Sequence, residues 1–217
     1  MRAVLLALAL LALTSGCGGS DTAGEATAAA AAAGGDCVSV EAPAARDPGS
    51  HEAPADSLDP SKTYALTFDT SCGSLTVTLD PTLAPKTAPS LVALARDGYF
   101  DDTIFHRVVP GFVIQGGDPT QEGSGGPGYS TVDVPPSDAA YTKGVVAMAK
   151  SQAEAPGTAG SQFFVVTADD AGLPPEYAIV GKVTRGMDTV ERIDALGVED
   201  GPPSQPVVVS KVTVSES

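Results

Sequence analysis

Beyond Tyr64 the chain consists mostly of short runs that alternate apolar and polar residues, and only two stretches break that period for a helical one. No other feature limits the possible folds as much. "YALTFDTSCGSLTVTLD" holds two such runs, Tyr64 to Asp69 and Ser74 to Asp80, around "TSCG", which predicts a β-hairpin. "TIFHRVVPGFVIQGGD" predicts short strands around a Pro110–Gly111 turn. "GVVAMAK", "SQFFVVTA", "YAIVGKV" and "PVVVSKVTVSE" predict further strands, and "SQAEAPGTAG", between the first two, is a loop by composition. In "APKTAPSLVALARDGYF" the expected helix has Thr87 as N-cap, Pro89 in its first turn, Leu91, Leu94 and Ala95 on one face, and Gly98 as its end. In "GMDTVERIDALG", Met187, Val190, Ile193 and Leu196 recur at helical spacing and Gly197 is the stop. Many short strands with one helix near each end argue for a mainly β, closed barrel rather than a layered α/β sheet. With no Trp and 5% aromatic residues, its core must be largely aliphatic.

The first sixty residues do not share this pattern. "MRAVLLALALLALTSGC" has one basic residue, an apolar run from Ala3 to Leu13 and small residues before Cys17, the form of a secretory signal over residues 1–16. "LTSGC" resembles the lipobox of bacterial lipoproteins, with Thr14 where Leu is usual, and the resemblance implies acylation of Cys17. Acyl chains there would attach a folded domain to the cell membrane from outside without a spanning helix; the alternative is a plain secreted protein. Residues 17–60 are rich in Ala, Gly, Pro and acidic side chains and are expected to form a flexible tether, with His51 merely solvated. Residues 61–217 are then the folded domain.

With Cys17 acylated, Cys37 and Cys72 remain in an exported, oxidising setting, where a disulfide between them would pin the tether to the first hairpin. Two free thiols are the alternative. The net charge of -15 argues against nucleic acid as a partner. No Cys/His cluster has metal-ligand spacing, so no metal site is expected. Nothing calls for a dimer, and a monomer is expected.

"GSGGPG", Gly123 to Gly128, fits the dinucleotide-binding pattern G-x-G-x-x-G. That motif needs a strand before it and a helix opening at its last glycine. Here "GGDPTQE" precedes it, Pro127 interrupts it and Pro135–Pro136 follow, so it predicts a surface loop.

"FHRVVPGFVIQGGDPT", Phe105 to Thr120, resembles the signature of the cyclophilin family of peptidyl-prolyl isomerases. "GVVAMAK", "GTAGSQFFVVTADD" and "YAIVGKV" follow in that family's order, so the resemblance runs from about Tyr64 to Val214. It implies a closed eight-stranded antiparallel β-barrel with a helix capping each end. It also implies Arg107, Phe112 and Gln115 as catalytic positions, with Val113, Met148, Ala149, Gln162, Phe164, Leu173 and Tyr177 holding substrate. The glycine loop would run along one edge of the groove. The chain departs from the family's commoner residues at Gly172, where many relatives have tryptophan, and at Tyr177, where many have histidine.

The residue types suit that chemistry. Rotation about an X-Pro bond meets a barrier of about 18–20 kcal/mol because amide resonance is lost. No bond breaks, so no nucleophile, metal or cofactor is required. A group that binds the twisted amide better than the planar one lowers the barrier, and a fixed guanidinium can do so by donating to the prolyl nitrogen or holding the adjacent oxygen. Aromatic side chains suit the pyrrolidine ring. A Ser-His-Asp site at His106 with Ser161 or Asp118 has no nucleophile elbow to support it. The rival to an isomerase is a module that binds proline-containing polypeptides with little turnover.

Overall fold

The computed structural model describes residues 36–217. Cys17 and the expected signal lie outside the described residues. In chain order the elements are β1 (Tyr64–Thr70), β2 (Gly73–Leu79), α1 (Thr87–Arg96), β3 (Thr103–Ile104), β4 (Arg107–Val109) and β5 (Val113–Gly116). Then follow β6 (Thr131–Val132), β7 (Val145–Met148), β8 (Thr158–Ala159), β9 (Phe163–Val166), β10 (Ile179–Arg185), α2 (Met187–Asp194) and β11 (Val208–Glu216).

Strands β1 and β2 form the expected hairpin, paired Phe68 to Leu75 and Leu66 to Val77. Strict alternation sends Leu66, Phe68, Leu75 and Val77 into the core and the intervening threonines outward. The hairpin lies inside an antiparallel nine-stranded sheet ordered β3-β11-β1-β2-β10-β7-β9-β5-β4, while β6 and β8 form a separate ribbon.

The sheet is strongly curled, but it is a half-barrel and not the closed eight-stranded barrel expected. Its two edges, β3 and β4, are successive pieces of one segment, and they pair with β11 and β5 and not with each other. The chain crosses between them at Phe105 and His106; the Phe105 amide donates to Val207 O at 3.0 Å and the Val108 amide to Gly201 O at 2.8 Å.

The helices cover the sheet. α1 buries Leu91, Val92, Leu94 and Ala95. Its N-cap is not Thr87, which is the first helical residue and fully buried. The Asp133 carboxylate, far along the chain, accepts from the amides of Lys86 and Thr87 and from Thr87 Oγ1, at 3.1, 2.7 and 2.7 Å. One charged acceptor thus serves orphan donors of the helix start and sits at the positive end of its dipole. α2 buries Val190 and Ile193. It begins at Gly186, where φ is +79° and a β-carbon would collide with Ser74 O, so only glycine fits.

Residues 36–60 contain no helix or strand, yet they do not behave as the expected tether. They form a strap held along the domain. Cys37 is disulfide-bonded to Cys72 in the β1–β2 turn. The Val38 amide donates to Ser71 O, that of Arg46 to Pro119 O and that of His51 to Pro127 O, each at 2.8 Å. Arg46 Nη2 donates to the carbonyls of Tyr99 and Asp101, both at 2.7 Å. His51, expected to be solvated, meets Tyr99 edge-on with ring centroids 5.2 Å apart. Prolines and small side chains leave this backbone free to pair with loop carbonyls, which composition alone does not show.

Candidate active site

The outer face of the half-barrel at β4, β5, β9 and β7 carries a cleft. Register explains which residues meet there: Arg107 pairs with Gln115, Gln115 with Phe164, and Phe164 with Ala147. Period two places Val113, Gln115, Phe164 and Ala147 on this face and turns Val108, Ile114, Val165 and Val146 into the main core. The turn that closes β4 and β5 uses Gly111 at φ +67°, and its amide donates to both carboxylate oxygens of Asp194 at the end of α2.

The cleft encloses about 180 Å³, lined by Arg107, Phe112, Val113, Gln115, Ala149, Lys150, Phe164, Leu173 and Tyr177. The volume is small and suits one compact ring. Phe164 and Tyr177 meet edge to face, centroids 5.6 Å apart. Tyr177 is fixed from behind, since Tyr141 Oη donates to its carbonyl at 2.7 Å and accepts from its amide at 3.0 Å.

Met148 is the correction here. It is fully buried in the main core and does not line the cleft. It shares the inward parity of Val146, and the cleft side of β7 is given to Ala147.

Arg107 is held on two sides. Its Nε and Nη2 donate to the two carboxylate oxygens of Asp200, at 2.5 and 3.0 Å, and its Nη1 donates to Gln115 Oε1 at 3.1 Å. Gln115 Nε2 donates to Gln162 Oε1 at 3.1 Å, and Gln162 Nε2 to Gly125 O at 2.9 Å. A continuous polar chain therefore runs from Asp200 through the arginine and both glutamines to the glycine loop.

That loop does cradle an anion, but one of its own. The Gly123 and Gly125 amides donate to Asp118 Oδ2 at 2.6 and 3.1 Å, and Thr120 adds its amide and hydroxyl. A β-carbon on Gly125 would collide with the Asp118 carboxylate. Burial pushes the Asp118 carboxyl up, but these hydrogen bonds outweigh it and hold the group below its ordinary value of 3.8. The loop, with Pro48 and Gly49 of the strap, walls a larger groove of about 740 Å³ that meets the cleft at Gln115, Ala149 and Lys150.

His106 takes no part in a triad. Both ring nitrogens are buried without a hydrogen-bond partner, while Ser161 Oγ donates to Gly117 O at 2.8 Å. Burial pushes the imidazole pKa below 6.5, opposed by the Asp118 charge and aided by that of Arg107.

Two site residues escaped the sequence reading. Lys150 is the last residue of the predicted strand "GVVAMAK", yet only 3% of its side chain is exposed, and its ammonium stands 5.3 Å over the Tyr177 ring. Asp200 reads as one more acid in a polar loop, and the only signal for it would have been the tertiary pairing of Val108 with Gly201.

A curled antiparallel half-barrel with two helices, and with an arginine set among aromatics on its outer face, defines a cyclophilin-like protein. The family model for cyclophilin-type peptidyl-prolyl cis-trans isomerases matches residues 65–214, and the chain belongs to that family. It is 39% identical over 160 residues to peptidyl-prolyl cis-trans isomerase-like 1 of Gibberella zeae, covering 71% of this chain and 97% of the relative. A crystal structure of a cyclophilin-type isomerase from Cryptosporidium parvum superposes with a TM-score of 0.65 at 31% identity, covering 70% of this chain and 98% of that one. A second structure of that protein, obtained in the presence of the dipeptide Ala-Pro, gives 0.63 at 30% identity over the same shares.

Proposed function

We propose that the cleft isomerises X-Pro bonds of exported polypeptides, with Arg107 stabilising the twisted amide. The observation that carries this reading is the company Arg107 keeps: one guanidinium, 31% exposed at its side chain, on the rim of a ring-sized pocket walled by Phe112, Phe164 and Tyr177. The proline ring enters the aromatic pocket, with Val113 and Leu173 at its sides. The amide then lies within reach of the arginine. As rotation localises the nitrogen lone pair, an N–H donor gains an acceptor that the planar amide does not offer, and the gain falls on the transition state alone. Gln115 and Gln162 hold the arginine and the loop, and Ala149 contributes the groove wall. The Ala-Pro dipeptide used with the Cryptosporidium parvum relative is consistent with this substrate class.

The test is cis/trans exchange on a short X-Pro peptide by the purified protein and by Arg107→Ala. We expect rapid exchange that falls about 100-fold in the variant, in the range for loss of one transition-state donor. Exchange at the uncatalysed rate from a folded protein would leave a proline-binding module as the better account.

We further propose that the chain acts as a monomer outside the bacterial cell membrane, acylated at Cys17 after removal of residues 1–16. The support is the sequence "LTSGC" after an apolar run. Mass spectrometry of the protein from a bacterial host should find acyl chains on Cys17, and Cys17→Ser should move the protein out of the membrane fraction.

A further inference from the structure

Arg107 offers five N–H donors in a planar fork and accepts nothing. Three are engaged: Nε and one Nη2 donor on the two oxygens of Asp200, and one Nη1 donor on Gln115. Two remain, one on each terminal nitrogen. Asp200 is brought there by backbone contacts. Its neighbour Gly201 accepts from the Val108 amide at 2.8 Å, one residue along from Arg107, and Leu196 O accepts from the Ser204 amide at 2.8 Å at the base of the same loop. The loop that carries the carboxylate is therefore fastened to the strand that carries the guanidinium. Asp200 itself is 65% exposed at its side chain and does not line the cleft. An ion pair so open to water adds little to stability. Its consequence is geometric, because a two-oxygen contact fixes both the position and the plane of a guanidinium.

We propose that Asp200 is a positioning residue for isomerisation: it grips one edge of the Arg107 guanidinium while Gln115 holds Nη1, so the two remaining donors present a fixed pair to the prolyl amide. The inference rests on the reading of the cleft as an isomerisation site. Without Asp200 the guanidinium would hang from Gln115 by one hydrogen bond at the end of a long side chain. Substrate would then have to order it at each turnover. The ring pocket would be unaffected, so the loss should fall on kcat and not on KM.

Asp200→Asn keeps the shape but replaces one acceptor oxygen with a donor that opposes the arginine, and Asp200→Glu keeps both oxygens. The experiment measures kcat and KM for an Ala-Pro peptide with the full chain, both variants, Arg107→Ala and the Asp200→Asn/Arg107→Ala double variant. Solvent exchange of the Arg107 Nε–H is followed by NMR alongside. We expect Asp200→Asn to lower kcat about tenfold with KM within about twofold, and Asp200→Glu to recover most of the loss. Asp200→Asn should have no further effect once Arg107 is Ala, and it should speed exchange of the Nε–H. An unchanged or raised kcat in Asp200→Asn would overturn the proposal, as would an equal fall in the Arg107→Ala background or unaltered Nε–H exchange. A wild-type protein without turnover would instead overturn the isomerase reading, and the Nε–H measurement would still decide whether Asp200 holds the guanidinium.

Discussion

His106 and Asp118 sit on either side of the same turn of chain, and acid should affect them differently. The folded protein holds His106 neutral to lower pH than its ordinary 6.5, chiefly by burial. Above that value both folded and unfolded chains carry a neutral ring, and the group contributes nothing to pH dependence. Below it the unfolded chain takes up the proton first, so stability falls as pH falls. The Asp118 carboxyl is depressed below 3.8, so its contribution is present above that value and disappears only at lower pH. Thermal midpoints should therefore decline from pH 7 to pH 5, before the carboxylates protonate, and His106→Gln should flatten that part of the curve. An identical slope in the variant would assign the decline to other groups. Residue-scale legibility followed distance along the chain. Arg107, Phe112 and Gln115 fall within nine positions of one motif, whereas Asp200 meets Arg107 across 93 positions and leaves no local trace. Met148 was assigned to substrate by the family resemblance, and the local sequence could not correct it: in "VVAM" three of the four residues are buried, so hydrophobicity does not show which parity faces the cleft.

Elements with a clear period were legible, and elements defined by their partners were not. β1 and β2 alternate without a fault, and both helices appear where apolar spacing put them. The division of residues 103–109 into two sheet edges was not visible, because an edge is a property of the assembled sheet. The same holds for the start of α1, whose cap lies 46 residues away at Asp133. Replacing it should show how much the helix depends on it. Asp133→Ala leaves the buried Thr87 amide and the more open Lys86 amide without this acceptor, and we expect urea unfolding to show a loss of about 1–2 kcal/mol. Asp133→Asn, which keeps one acceptor oxygen, should lose less. No change in the unfolding midpoint of the alanine variant would mean that another group caps the helix.

For the whole molecule, the strap over residues 36–60 alters what counts as the folded unit. Its composition suggests disorder because it has no period and many prolines, yet its backbone is held by carbonyls of the domain and its start by a disulfide. The bridge spans 35 positions, and the chain-entropy model gives about 4 kcal/mol for a loop of that length. The double variant Cys37→Ser/Cys72→Ser should lose up to that much stability in urea. Its Arg46 and His51 amides should exchange with solvent faster than in the parent. Protection that persists without the bridge would show that the hydrogen bonds alone hold the strap. The position of the bridge also sets the path of mechanical load. A pull on the chain ahead of Cys37, resisted anywhere beyond Cys72, crosses the sulfur bridge and enters the sheet at the β1–β2 turn. The strap from residue 38 to residue 60 lies inside the cross-linked loop ahead of β1 and off that covalent path, so Pro48 and Gly49 keep their place against the groove while the molecule is under tension.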